Sequence, residues 1–178
     1  MLLLSLAKIR TARERFDRVY GPETFAADRE TYTVLAPVTL GFDIEKDKDH
    51  FRLSGRVQTV LELPCSRCLE PFTWPVDASF DLRYQPRAPA RSEAEREVQE
   101  DDFSTAFYAD ETIDLGQLMR EQFYLSLPMK PLCAETCRGL CVQCGTNLNN
   151  STCDCARDWD DPRFAALKAL REPTRTDH

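Results

Sequence analysis

Phe51-Arg52-Leu53-Ser54-Gly55-Arg56-Val57-Gln58-Thr59-Val60-Leu61-Glu62-Leu63 alternates apolar and polar side chains and runs straight into Pro64-Cys65-Ser66-Arg67-Cys68-Leu69. Successive side chains of a strand point to opposite faces. Leu53, Gly55, Val57, Thr59, Leu61 and Leu63 therefore share one face, and Arg52, Ser54, Arg56, Gln58 and Glu62 share the other, with Val60 the main exception. The stretch predicts a sheet strand with one buried and one wet face, and it places a thiol pair in the turn that ends it.

On either side the pattern continues. Residues 32–44 and 72–84 are rich in β-branched and aromatic side chains, and Phe80, Leu82 and Tyr84 keep the period of two. The charged segment Glu45-Lys46-Asp47-Lys48-Asp49-His50 is suited to an exposed hairpin loop. Asp114 stands where its carboxylate can cap a first helical turn, with Gln117 at capping-box spacing and Leu115, Leu118, Met119 and Phe123 as the apolar stripe. Pro128 and Pro131 end that helix, and Asp161-Pro162 opens a last one carrying Phe164, Leu167 and Leu170. Ile9, Ala12, Phe16 and Val19 recur at helical spacing, which predicts a short N-terminal helix with Lys8, Arg10, Arg13, Arg15 and Arg18 on its wet side.

The fold expected from these elements is α+β: an antiparallel sheet able to curl toward a barrel, flanking helices, and a C-terminal cysteine-rich module. The expected domains are a mainly β core over residues 1–127 and a cysteine module with the terminal helix over 128–178. The core would include an acidic flexible loop at about 86–102 and a helix at about 114–126. At 178 residues and 42% hydrophobic content, one ordinary core is affordable.

The net charge of −7 is concentrated. Residues 92–102 carry six carboxylates against one arginine, leaving the rest nearly neutral, so a small basic patch around Arg10, Arg13 and Arg15 is compatible with an acidic chain. The apolar start Met1 to Ala7 lacks a basic leader and a cleavage site, and no run reaches the roughly 18 apolar residues of a membrane span. The expectation is a cytoplasmic protein without a membrane partner.

All eight cysteines are clustered: Cys65 and Cys68, then Cys133, Cys137, Cys141, Cys144, Cys153 and Cys155 within 23 residues. Packing scatters free cysteines, whereas ligands must converge on one ion, and a reducing compartment disfavours four disulfides. Structural zinc, one or two ions, is the reading preferred over a disulfide framework or an iron–sulfur cluster.

Cys141-Val142-Gln143-Cys144-Gly145 has the form of a zinc knuckle, and Cys153 and Cys155 can complete its site. Cys133 and Cys137 would then join Cys65 and Cys68 in a second site. Alternatively Cys133 and Cys137 complete the first site, leaving Cys153 and Cys155 peripheral or paired with Cys65 and Cys68. Four thiolates leave no position for water, so such sites are structural. Only two histidines and six glycines are present, with no phosphate loop, so no catalytic constellation is evident. A Cys65/Cys68 dithiol oxidoreductase is disfavoured because the pair follows a strand, not a helix N-terminus that would acidify the thiol. Arg67 and Arg138, each beside paired thiols, are expected to offset thiolate charge and are also candidates for contact with RNA or a partner.

Cys65-Ser66-Arg67-Cys68-Leu69-Glu70-Pro71 resembles the YceD family, as do the later parts Leu127-Pro128, Pro131-Leu132-Cys133, Cys137-Arg138-Gly139-Leu140-Cys141, Cys144-Gly145, Asn147-Leu148-Asn149, Cys153-Asp154-Cys155 and Asp161-Pro162-Arg163. Members of that family are known as large ribosomal RNA subunit accumulation proteins. The resemblance implies non-catalytic support of 23S ribosomal RNA accumulation or processing, with large-subunit ribosomal RNA or a pre-ribosomal particle as partner and no small-molecule substrate. A zinc-dependent assembly factor that contacts a basic ribosomal protein through the acidic 92–102 segment is the alternative.

Overall fold

The computed structural model describes residues 2–26, 31–86 and 105–155. The chain divides into two compact units, Met1–Cys137 and Arg138–His178. No helix among the described residues is long and apolar enough to cross a membrane.

The first unit is built on the hairpin that the opening stretch predicts. Strand β5 (His50–Pro64) pairs antiparallel with β6 (Pro71–Pro86) along its length, from Phe51 opposite Tyr84 to Pro64 opposite Pro71. Leu53, Val57, Leu61 and Leu63 are buried and Arg52, Arg56 and Gln58 exposed, as the alternation requires. Phe80 and Tyr84 are buried on β6.

Other strands extend this hairpin. β4 (Val38–Asp47) pairs with β5 and brings Val38, Leu40, Phe42 and Ile44 to the same core. The expected single strand over 32–44 is broken: β3 (Thr33–Val34) also pairs with β5, and Pro37, which has no N–H to donate, lies in the gap. There Leu35 donates to the Val60 carbonyl and the buried Thr59 hydroxyl to the Ala36 carbonyl (both 2.9 Å). The charged linker is shorter than expected, because Asp47 pairs with His50 and only Lys48 and Asp49 make the turn, with Lys48 at φ 54°.

The N-terminal helix expectation is overturned. Residues 13–20 form β2 (Arg13–Tyr20), an edge strand antiparallel to β4, preceded by the short β1 (Leu3–Ser5) and a 3-10 turn over Leu6–Lys8. Ile9, Ala12, Phe16 and Val19 fit a helix, but Val19 is 68% exposed. What decides the conformation lies on β4, where Glu45 and Asp43 stand opposite Arg13 and Arg15, and Phe42 stands opposite Phe16 and stacks on it at 5.3 Å. Cross-strand charge and aromatic pairs override a weak local periodicity.

On the other side of β6, β7 (Thr105–Tyr108) runs parallel, so the sheet is mixed, not purely antiparallel. A parallel neighbour needs a long connection, and residues 87–104 supply it. The order β2-β4-β5-β6-β7 is an open path and not a closed barrel. β8 (Thr112–Asp114) pairs with β1 as a separate ribbon after a turn in which Asp110 and Glu111 both have positive φ, 52° and 51°.

Helix α1 (Leu115–Ser126) begins where Asp114 predicts, with the Asp114 carboxylate accepting from the Gly116 and Gln117 amides at 2.8 and 3.1 Å. The Gln117 side chain turns forward to Glu121 at 2.9 Å, so the local arrangement is a cap followed by an i,i+4 pair. Leu115, Leu118, Met119 and Phe123 are buried, and Phe123 meets Phe25 and Tyr32 edge-on at 5.5 and 5.8 Å. With one α-helix among the described residues, the unit is mostly β, a correction to the expected α+β fold with flanking helices. The acidic 92–102 segment and the helix expected from Asp161 lie outside the described residues.

In the second unit, residues 138–155 contain no buried apolar side chain. Their order comes from turns and hydrogen bonds around cysteines.

Candidate metal centres

The eight cysteines gather into two sets of four: Cys65, Cys68, Cys133 and Cys137 in the first unit, and Cys141, Cys144, Cys153 and Cys155 in the second. Within each set the sulfurs all lie within 4.8 Å of one another. This is the first of the groupings that the spacing allows, and the alternative of Cys133 and Cys137 beside Cys141 and Cys144 is not the one formed.

Both centres rest on the same backbone device. In the first, the Cys65 amide donates to the Glu70 carbonyl and the Leu69 amide to the Cys65 carbonyl, both at 2.9 Å. In the second, Cys141 donates to Thr146 (2.8 Å) and Gly145 to Cys141 (2.9 Å). Each loop closes its fifth residue onto its first, folding the two thiols of a C-x-x-C pair to one side. The fifth residue must take a left-handed conformation, with Gly145 at φ 72° and Leu69 at φ 62°. Glycine adopts this freely, whereas a leucine there is held against a cost of roughly 1–2 kcal/mol.

The first centre is closed by the segment after α1. The Ser66 amide donates to the Pro131 carbonyl at 2.8 Å, and the Trp74 indole N–H donates to the Ser126 carbonyl at 3.1 Å. Cys133 and Cys137 are thereby brought against the β5–β6 turn. Cys65 Sγ lies 3.8 Å from Cys137 Sγ, and Cys68 Sγ 3.7 Å from Cys133 Sγ. A tetrahedral ion with Zn–S bonds of about 2.3 Å has sulfur–sulfur edges of about 3.8 Å, so the donor set fits zinc. Cys65, Cys68 and Cys137 are buried while Cys133 is exposed.

Burial works to raise the Cys65 thiol, but the backbone amides of Cys133, Cys68 and Arg67 outweigh it and bring the thiol down to about 6. Cys133, hydrogen-bonded to Cys137 and partly desolvated, is pushed up to about 12. The second centre repeats the contrast. The Thr146 hydroxyl and amide lower Cys144 to about 6, and Cys155 is pushed up to about 12, first by its contact with Cys144. Cys65 and Cys144 are thus the more readily ionised thiols, while Cys133 and Cys155 hold protons that a divalent cation would displace.

Arg67 has a definite place. Its guanidinium donates to the Cys137 and Glu135 carbonyls at 2.9 and 3.2 Å, bracing the strand of chain that carries two ligands. Arg67→Ala is expected to cost about 1 kcal/mol and to speed metal release from the first centre several-fold, with Arg67→Lys intermediate because it lacks the planar fork. Chelator-challenge kinetics check this: unchanged release with weakened RNA binding would assign Arg67 to RNA instead.

The other candidate contact residues are scattered. Arg13 pairs with Asp43 and Glu45, and Arg15 with Asp17 and Asp43, on the wet face of the sheet. Arg10 is exposed, and Arg138, also exposed, donates its backbone N–H to Asn149 Oδ1 at 2.7 Å. Two contributors escaped the sequence reading. Thr146 Oγ1 lies 3.1 Å from Cys144 Sγ, and Asn149 ties residue 138 to the loop between thiol pairs. The fifth-residue rule shared by Leu69 and Gly145 was the available signal for the first centre's turn.

A family model described as large ribosomal RNA subunit accumulation protein YceD matches residues 53–171, about two-thirds of the chain and a span that contains all eight cysteines. The chain is 27% identical over 166 residues to the chloroplastic YCED homolog 1 of Arabidopsis thaliana, covering 82% of this chain and 52% of the plant protein. Against the Zea mays protein of the same name it is 29% identical over 143 residues, covering 67% and 48%. It thus spans about half the length of these plant relatives. An uncharacterised Mycobacterium bovis protein is 28% identical over 160 residues, 90% of this chain and 74% of that protein. No solved structure matches significantly.

Proposed function

Because the chain belongs to the YceD family of large ribosomal RNA subunit accumulation proteins, we propose that it is a non-catalytic cytoplasmic factor supporting accumulation or processing of 23S ribosomal RNA, its fold held by two structural zinc ions. The observation that carries this reading is the family match itself, which runs from the β5 strand through both cysteine sets.

The chemistry of the sites is consistent with a scaffold. Thiolate sets favour zinc over harder cations, and four of them would fill its tetrahedron, leaving no open position for an activated water. Zinc would supply cross-linking: Cys65 and Cys68 at a hairpin tip to Cys133 and Cys137 beyond α1 in one unit, and the two ends of a short loop in the other.

Crosslinking the protein to RNA in growing cells, with sequencing of the attached RNA against a non-crosslinked control, tests the proposal. Enrichment of one large-subunit ribosomal RNA region is expected; background-level RNA would overturn direct contact. A protein-directed reading draws support from the ion pairing of Arg13 and Arg15 and from the intramolecular bonds of Arg67. Cations already paired are poor phosphate ligands.

A further inference from the structure

We propose that the free edge of β2 pairs with the same edge of a second copy of this chain, antiparallel and with Phe16 on the two-fold axis. β2 ends the path β2-β4-β5-β6-β7, and among the described residues no strand lies on its other side. The backbone shows which groups face that side. The Lys46 amide donates to the Ala12 carbonyl at 2.9 Å, one step beyond the Arg13–Glu45 pair. Antiparallel bonds alternate along a strand, so Ala12, Glu14, Phe16, Arg18 and Tyr20 direct theirs at β4, while Arg13, Arg15, Asp17 and Val19 turn amide and carbonyl outward. The Arg13 carbonyl accepts from the Thr11 hydroxyl at 3.0 Å, in keeping with an outward position, and all four residues of that row are exposed.

The charges say what covers this edge. Inward-pointing charged side chains commonly bar an edge strand from pairing with a stranger, and Glu14 and Arg18 stand on the inner face beside Phe16. They admit one neighbour. From Glu14 to Arg18 the charges run negative, positive, none, negative, positive, which is antisymmetric about Phe16. An antiparallel copy centred there sets Glu14 opposite the partner's Arg18 and Arg15 opposite the partner's Asp17, so every charge of the stretch faces its opposite. Arg18 lies over the Phe16 ring at 5.8 Å and pairs with no carboxylate among the described residues. Glu14 Oε1 is held by the Arg10 and Thr11 amides at 2.9 and 3.1 Å, which leaves Oε2 for the partner's guanidinium.

Backbone parity selects the same register. Outward groups must meet outward groups, so the axis passes through a residue, and Phe16 sets Arg15 opposite Asp17 and Arg13 opposite Val19, all of them outward. An axis through Arg15 or Asp17 would set that residue against its own kind and leave Glu14 and Arg18 opposite uncharged residues. A single strand edge makes a small interface, so a dissociation constant of about 10–100 μM is expected. This inference uses no RNA contact, and it and the RNA reading can fail separately.

Sedimentation equilibrium of the full-length, metal-replete protein tests it. The wild type is expected to dimerise in that range. Arg18→Glu sets two carboxylates opposite each other at both ends of the pairing and is expected to weaken the dimer roughly tenfold or more while melting like the wild type. Glu14→Lys does the same with two cations, and an equimolar mixture of the two variants is expected to regain a dimer, because each altered position then meets its complement. If Glu14→Lys lowers the melting temperature by losing the bonds to the Arg10 and Thr11 amides, Asp17→Pro decides instead. It removes an outward N–H, which an edge strand tolerates, and is expected to abolish the dimer. A wild type that stays monomeric at about 1 mM would overturn the proposal. So would a dimer of unchanged affinity in Arg18→Glu and Asp17→Pro, or a mixture of folded charge variants that stays monomeric.

Discussion

A chelator at neutral pH is expected to unfold residues 138–155 while the sheet of the first unit stays folded. The asymmetry follows from where apolar surface is buried. Every member of the hydrophobic core, from Leu4 to Phe123, lies in the first unit, and residues 138–155 bury no apolar side chain. Their backbone order amounts to a few turn hydrogen bonds, such as Leu148 to Gly139 and Gly145 to Cys141, both 2.9 Å. Each bond is worth about 1 kcal/mol net, and ordering costs about 1–2 kcal/mol per residue. Turns alone therefore lose. A structural zinc contributes on the order of 10 kcal/mol, enough to reverse that balance.

Amide exchange at Cys141, Gly145 and Leu148 is expected to become unprotected on chelation, while Leu53 and Leu61 on β5 keep their protection. Metal should leave in two steps, the second centre first, since its cysteines are half-buried or exposed whereas three of the first centre's four are buried. Acid should act in the same direction, because bound thiolates must be reprotonated before release and stability is lost as pH falls. A paired Cys141→Ser, Cys144→Ser variant is expected to hold one fewer zinc per chain. Unchanged metal content and unchanged exchange in that variant would refute the assignment.

The parts legible in the sequence are those whose signal is local. Leu53, Val57, Leu61 and Leu63 declare a strand because a period of two needs no partner to be read. Asp114 declares a helix start because a cap is completed within three residues. The cysteine grouping was legible for a related reason: once Cys141 and Cys144 are seen as a knuckle, the remaining thiols have few ways to pair.

What failed depended on distant residues. In residues 9–19 the helical spacing is a weak local signal, and Phe42, Asp43 and Glu45, some 30 positions away, decide for β2. The break between β3 and β4, by contrast, has a local signal in Pro37.

Gly55→Ala is expected to destabilise the first unit by about 3 kcal/mol, at the upper end for added core volume, and to lower its melting temperature by roughly 6–12 °C. Gly55 sits on the inner face of β5 opposite Phe42 on one side and Phe80 on the other. A Cβ there would overlap the Gly41 carbonyl oxygen and lie 2.5 Å from Phe42 Cβ. The obstruction is backbone as well as side chain, so no rotamer change relieves it. Phe42 is fully buried and stacked on Phe16, which fixes it from the far side. The methyl group must therefore move β4 itself, and with it the pairing that turned residues 13–20 into a strand. Glycine within a strand is otherwise unfavourable, so its presence marks a close approach that the fold requires. Replacing Phe42 by Leu in the Gly55→Ala background is expected to give no recovery, because leucine keeps the Cα and Cβ that the new methyl group meets. Urea unfolding followed by Trp74 fluorescence checks both variants. An unchanged midpoint in Gly55→Ala would mean that β4 and β5 do not pair in the register that sets Phe42 opposite Gly55.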